Sequence, residues 1–331
     1  MPQEGLDTDN LTREEFYELL DRHEREVDLG NVSPAAGRPR VHRQRLFRPL
    51  MLFLATALST WLIGGPVYSA ALMSILLFHE MGHFLQSVRY GVPASFPYFI
   101  PMPLPPFGTM GAVILQQRGA GDRKALFDIA ISGPLAGLVV ALPMTYFGIQ
   151  WSTIAPVQTD VANFQFGEPL IFQWLIESIH GTLPQGHDLY MHPLAHAGWV
   201  GIFITALNLV PVSQLDGGHI LYALIRKKAH FVAIGFLAMV VGYMVLTSHY
   251  QWLLMVGLVM LMGPKHPPTA NDYVPLGWGR HLLVCLTLPF LLPRITPDPI
   301  NFYDPTQQPQ SQKPATVEVV SPPVESQLQP Q

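Results

Sequence analysis

The sequence predicts an all-α polytopic membrane protein of about six transmembrane helices, with a shorter seventh candidate and a small membrane-associated β element after the second helix. Three observations predict it. Charged side chains make up 13% of the 331 residues, against ~25% in an ordinary soluble domain. The apolar residues, 49% in all, fall into long uncharged blocks separated by short polar stretches. Lysine and arginine lie in alternate connections between those blocks, as in a chain that threads a bilayer.

The blocks are residues 49–65, 67–88, 127–149, 194–225, 229–247 and 252–263, with 282–292 as the short seventh. A spanning helix needs ~20 predominantly apolar residues, which the block at 252–263 reaches only with its flanks. Gly64, Gly65 and Pro66 separate the first two blocks. Arg48 precedes the first, and Arg89, Arg118, Arg123 and Lys124 lie between the second and third. Arg226, Lys227 and Lys228 follow the fourth, and Lys265 follows the sixth. By the positive-inside rule the N-terminus is cytoplasmic, which in a bacterial host means the cell (inner) membrane.

The flanking regions differ from this core. Residues 1–45 form a polar cytoplasmic segment, with Thr12 and Glu15 at capping-box spacing ahead of a charged helix over 13–29. No basic run leads an apolar stretch to a small-residue cleavage site, so no signal peptide is expected. The transmembrane domain covers 46–296. From 297 to 331 the chain is rich in Pro, Gln and Ser and reads as a disordered tail. Between the second and third blocks, prolines 93, 97, 101, 103, 105 and 106 predict irregular backbone. The run from Gly108 through Gly111 to Leu115 then predicts a strand. A short amphipathic helix is expected from Pro169 in the connection 150–193.

Some chemistries are excluded at once. A net charge of −4 gives no basis for nucleic-acid binding. The single cysteine, Cys285, excludes internal disulfides and cysteine-rich metal sites. There is no Gly-x-Ser-x-Gly elbow. Any metal must therefore be held by histidine and carboxylate.

The second block supplies both, in His79-Glu80-Met81-Gly82-His83. Histidines at i and i+4 share one helix face and can bind one ion, with Zn–N bonds of ~2.0–2.1 Å. Glu80 is turned away by about a third of a turn, so it can contact a water on the metal rather than the metal itself. Three ionisable groups inside an apolar helix cost at least ~2.5 kcal/mol each if charged and unpaired. They are expected only where they face a cavity or bind something.

Two histidines leave a ligand position open. The fourth block has one acidic residue, Asp216, within Asn208-Leu-Val-Pro211-Val-Ser-Gln-Leu-Asp216-Gly-Gly-His219. Asp216 can be read as a ligand or as the cap of a following helix, and the two Gly, Asn208 and Pro211 predict a break in the span. His219 is a rival ligand on i,i+3 geometry. His180, His187, His192 and His196 read as loop and packing residues, because Pro193 interrupts the only i,i+4 pair. Gly133 and Gly137 have the spacing of a close helix contact beside the histidine helix.

These residues together resemble the site-2 protease family of intramembrane zinc metalloproteases. The resemblance rests on the His79–His83 motif, Ser132-Gly-Pro-Leu-Ala-Gly137 and the segment from Asn208 to Gly217, and covers about 72–226. Phe107 to Ile114, Phe127-Asp-Ile129 and His192 to Trp199 are similar to its plant and cyanobacterial, EGY-type branch. The resemblance implies one Zn2+ held by His79, His83 and Asp216, with Glu80 as catalytic base. It implies that Asn208 and Pro211 shape a substrate cleft, and that the strand at Gly108 and Gly111 pairs with an unwound substrate. The substrate would be a membrane protein cut in or near a transmembrane segment. The 44 residues from 150 to 193 are too few for a PDZ-like insertion, since domains need about 50 or more. A metal transporter would need repeats and a path of ionisable groups, and neither is found. A pseudoprotease scaffold is disfavoured by the intact Glu80.

Overall fold

The computed structural model describes residues 46–117, 119–156, 163–166, 170–184, 186–212, 214–247, 253–262, 269–291 and 300–303. The expected helix over 13–29 and most of the 297–331 tail lie outside them.

Helix α1 (Phe47–Arg89) is a hairpin of two limbs. Gly65 breaks it at φ 80° and ψ −178°, backbone that essentially only glycine adopts, and Pro66 starts the second limb with its preset φ. Across the break, Ser69 Oγ donates to Ala57 O at 2.8 Å and lies 2.8 Å from Thr60 Oγ1. In a straight helix, positions 57 and 69 would be about 18 Å apart. The limbs therefore run antiparallel, which keeps the two apolar blocks as separate rods.

Two short strands follow, β1 (Tyr98–Pro101) and β2 (Thr109–Val113), paired antiparallel with Tyr98 opposite Val113 and Phe99 opposite Ala112. The proline-rich stretch was expected to be irregular; its centre is a strand instead. Each strand of a two-stranded ribbon is an edge, where proline is tolerated, so Pro101 can end β1. Helix α2 (Arg123–Gln150) begins at Asp122, whose side chain accepts from Ala125 N at 2.8 Å. At 28 residues it is about 42 Å long.

The connection after α2 holds β3 (Thr153–Pro156), β4 (Asn163–Phe166), α3 (Leu170–His180) and β5 (His187–Tyr190), with β3 and β5 paired. Helix α3 is the amphipathic helix expected near Pro169. It buries Phe172, Leu175 and Ile176 and leaves Trp174 61% exposed. Trp151 is 60% exposed at the same end of α2, and such aromatics suit a membrane–water boundary.

The fourth block forms α4 (Pro193–Asn208) and α5 (Asp216–Ile225), separated by irregular backbone. It crosses once along α2. A Cβ on Gly148 would meet Ala195 at 2.2 Å at one end, and Arg123 Nη2 donates to Leu224 O at 2.7 Å at the other. A 3-10 turn (Arg226–Lys228) leads into α6 (Ala229–Thr247), followed by α7 (Leu253–Met262) and α8 (Trp278–Leu291). A final strand, β6 (Ile300–Tyr303), pairs with β4, so the expected disorder of the tail does not hold for these four residues. The one β element expected becomes three two-stranded sheets among the described residues.

Among the described residues, three helical stretches are long and apolar enough to cross a membrane: Phe47–Arg89, Arg123–Gln150 and Asp216–Thr247. Helix α7, at ten residues, falls short by itself. Tyr68, Leu72, Ile149, Trp199 and Val200 pack the centre where the second limb of α1 meets α2 and α4. Buried hydroxyls are satisfied one turn back, as in Thr60 to Thr56 O, Thr145 to Ala141 O and Thr205 to Gly201 O. Back-bonding of this kind lets polar residues sit in apolar helices.

Candidate metal centre

His79, Glu80 and His83 lie on the second limb of α1 and are 2%, 4% and 7% exposed. Facing them, α2 presents its two close glycines. A Cβ on Gly133 would stand 2.1 Å from His83 Nε2, and one on Gly137 would stand 3.2 Å from the His79 ring. The small pair thus makes room for the imidazoles, the close contact its spacing predicts. His83 Nδ1 lies 2.7 Å from Ile129 O. A carbonyl can only accept, so Nδ1 carries the proton and Nε2 presents its lone pair inward.

Asp216 enters from the break in the fourth block. It is the first residue of α5, and the helix N-cap is Leu215. The capping alternative therefore fails: the carboxylate turns to the histidines. Asp216 Oδ2 lies 3.3 Å from His79 Nε2 and 3.2 Å from His83 Nε2, and the two Nε2 atoms are 3.2 Å apart. The Asn208 side-chain nitrogen is 3.4 Å from His79 Nε2. One ring nitrogen has a single proton or a single lone pair, yet three polar atoms surround it. Pairwise hydrogen bonds cannot satisfy that convergence.

A shared cation can. Two donors on a tetrahedral ion with bonds of ~2.0–2.1 Å sit about 3.3–3.4 Å apart. The observed triangle has sides of 3.2–3.3 Å. Two imidazoles and one carboxylate are a donor set that suits zinc, and three protein ligands leave one position open. Among the described residues His79, His83 and Asp216 are the group able to hold a metal; His219 is not part of it.

The other expected site residues divide. Asn208 joins the cluster, while Pro211 is half-buried in the break and helps end α4. Gly108 and Gly111 stand apart from the donor atoms. Gly108, at φ 78°, packs on the first limb of α1, where a Cβ would meet Thr60 Cα at 2.8 Å. Gly111 faces Ile204 on α4, one turn before Asn208. The strand β2 therefore runs past the helix that ends at the site. On the far side, His192 caps α4 by accepting from Leu194 N, and His196 stacks on Tyr68 at 4.7 Å. Neither joins the donor set, in line with their reading as packing residues.

A family comparison agrees with this geometry. A model of Peptidase family M50 matches residues 67–248, more than half of the chain and both halves of the donor set. The chain belongs to peptidase family M50. Its likeness is to the EGY-type branch. It is 33% identical over 225 residues to the probable zinc metalloprotease EGY1, chloroplastic, of Arabidopsis thaliana, covering 66% of this chain and 36% of that protein. It is 27% identical over 264 residues to the probable zinc metalloprotease EGY2, chloroplastic, of Oryza sativa subsp. indica, covering 74% of this chain and 48% of that protein. The chain thus spans a third to a half of the length of these M50 relatives. The family match does not reach residues 269–291.

Proposed function

We propose that this protein is an intramembrane zinc metalloprotease that hydrolyses a peptide bond in or near a transmembrane segment of another membrane protein. The observation that carries the reading is the triangle of His79, His83 and Asp216 donor atoms at zinc-ligand separations. It lies inside helices long and apolar enough to cross a membrane, with a buried glutamate beside it. The relatives named as zinc metalloproteases support the same metal here.

Zinc, when bound, acidifies a water and polarises the scissile carbonyl. The chain's own residues do the rest. Glu80, adjacent to His79 but off the ligand face, accepts the proton and passes it to the leaving amine nitrogen. The Ile129 carbonyl fixes the His83 tautomer so that Nε2 faces the ion. The Asn208 amide, beside His79, is placed to donate to the substrate carbonyl. The β1–β2 ribbon offers an edge for an unwound substrate, whose amides must leave their helix before attack.

The bilayer is the second partner, and the helix ends support a membrane topology. Arg89, Arg123 and Arg226–Lys228 lie at one end of the bundle, the cytoplasmic end in this reading. Helix α6 leaves that end at Ala229, and Ala270 N is back there, donating to Gly121 O at 3.0 Å. In this reading α6 and α7, the latter extended by its flanks, are crossings five and six. Arg280 bonds Asp128 near the start of α2, whereas β6 pairs with β4 in the connection beyond its other end. In this reading α8 is the seventh crossing.

Metal analysis tests the ligand set. Purified protein should carry one zinc per chain. His79→Ala and His83→Ala should lose it, Asp216→Asn should weaken binding, and His219→Ala should leave it unchanged. Retention of zinc by Asp216→Asn together with its loss in His219→Ala would reassign the third ligand.

A further inference from the structure

The segment after the sixth block folds back onto the two helices that carry the site. Its backbone is tied to the start of α2, where Ala270 N donates to Gly121 O at 3.0 Å and Arg123 N donates to Asn271 O at 3.2 Å. Asp272 accepts from Tyr222 Oη on α5 at 2.8 Å and from Thr269 Oγ1 at 2.6 Å. Although burial pushes the other way, these bonds hold the Asp272 carboxyl below its ordinary value, so it accepts as a carboxylate. Eight residues on, Arg280 grips Asp128 of α2 with two parallel bonds of 2.7 and 2.6 Å, and Tyr90 also donates to that carboxylate.

Leu276, between these two polar ties, and Val284, one turn beyond Arg280, join an apolar cluster with Leu209 and Ile220. Those last two residues bracket the break: Leu209 follows Asn208, and Ile220 lies one turn after Asp216. Tyr222 is on the same short helix as Asp216. Helix α5 has only ten residues and no side-chain cap, and irregular backbone joins it to α4. An isolated helix that short is marginal, so its place is set by what it packs on.

We propose that residues 269–284 act as a strap that positions α5, and with it the Asp216 donor, against the histidines of α1. The strap's Asp272 and Arg280 are positioning residues; they touch neither metal nor substrate. The inference rests on the zinc reading above and extends it to a segment outside the family match. Because His79 and His83 sit on a different helix, loosening the strap moves one donor relative to the other two. Zinc affinity then falls without any change in the ligands.

The test uses the full-length protein in detergent or lipid, with zinc affinity read by competition against a chelator. Hydrogen exchange of the α5 amides is the second readout. Tyr222→Phe removes one hydroxyl, and Arg280→Gln removes the paired bonds to Asp128. A net hydrogen bond is worth about a factor of five, and a charge-assisted one about tenfold or more. Tyr222→Phe should therefore bind zinc about fivefold more weakly and Arg280→Gln about tenfold, with faster exchange in α5 and little change in the second limb of α1. Arg280→Lys, which restores the charge but not the paired geometry, should recover part of the loss. Zinc affinity equal to the parent's in both Tyr222→Phe and Arg280→Gln would overturn the strap's role while leaving the zinc reading intact. A parent protein that binds no zinc would overturn both.

Discussion

At the scale of single residues, the site depends as much on absent atoms as on present ones. Gly133 lets the α2 backbone lie against the His83 ring, where a Cβ would stand 2.1 Å from Nε2. Helical Gly→Ala changes ordinarily stabilise by up to ~1 kcal/mol. Gly133→Ala should do the reverse: the ring must leave its bond to Ile129 O, and zinc affinity should fall by about 10–100-fold, as for lost supporting contacts in metal sites. Gly235→Ala on α6, where a Cβ meets nothing within 4 Å, is the matched control and should bind zinc normally. Titrations of the two variants side by side check this. The histidine pair was legible because ligands four apart must share a helix face, and the glycine pair because its spacing marks close packing. Asp216 was legible as the one acid in an apolar block, although local sequence could not separate ligand from cap. The Ile129 carbonyl left no trace, since every residue has one.

At the scale of elements, the β1–β2 ribbon is held from outside its own ladder. Ser59 Oγ, on the first limb of α1, donates to Gly108 O at 2.7 Å, and Tyr68 Oη donates to Phe107 O at 2.7 Å. Phe107 in turn stacks on Trp199 and Phe203 of α4. If the ribbon holds unwound substrate, Ser59→Ala should slow cleavage of a single-span protein several-fold while costing only ~1 kcal/mol of stability. A short soluble peptide, which needs no unwinding, should be cut at the parent rate; equal slowing on both substrates would remove the ribbon from substrate handling. The broken fourth block and the hairpin at Gly65 were readable from Gly, Pro and Asn in apolar runs. Strand β1 was not, because its prolines mimic a loop. The strap was hidden for a different reason: its bonds join residues about 50 to 150 positions apart, as Tyr222 joins Asp272 and Asp128 joins Arg280, and no local pattern encodes such pairs.

At the scale of the whole molecule, a site shared by α1 and α5 within the membrane requires the basic ends of α1, α2 and α5 on one side of it. Single cysteines placed in a Cys285→Ser background should report it. Positions 227 and 271 should react from the cytoplasmic side, and positions 187 and 301 from the other. Labelling of 271 and 301 from the same side would remove the seventh crossing. Whether this buried cluster performs proteolysis within the membrane is decided by one comparison. Parent protein and Glu80→Gln, both zinc-loaded, would be incubated in liposomes with a single-span substrate, and the products mapped by mass spectrometry. The parent should cleave in or near the spanning segment. The variant should lose activity on the order of 10²–10⁴-fold at equal zinc content, since the amide cannot take the proton. Equal cleavage by the two proteins at equal zinc would contradict proteolysis by this cluster.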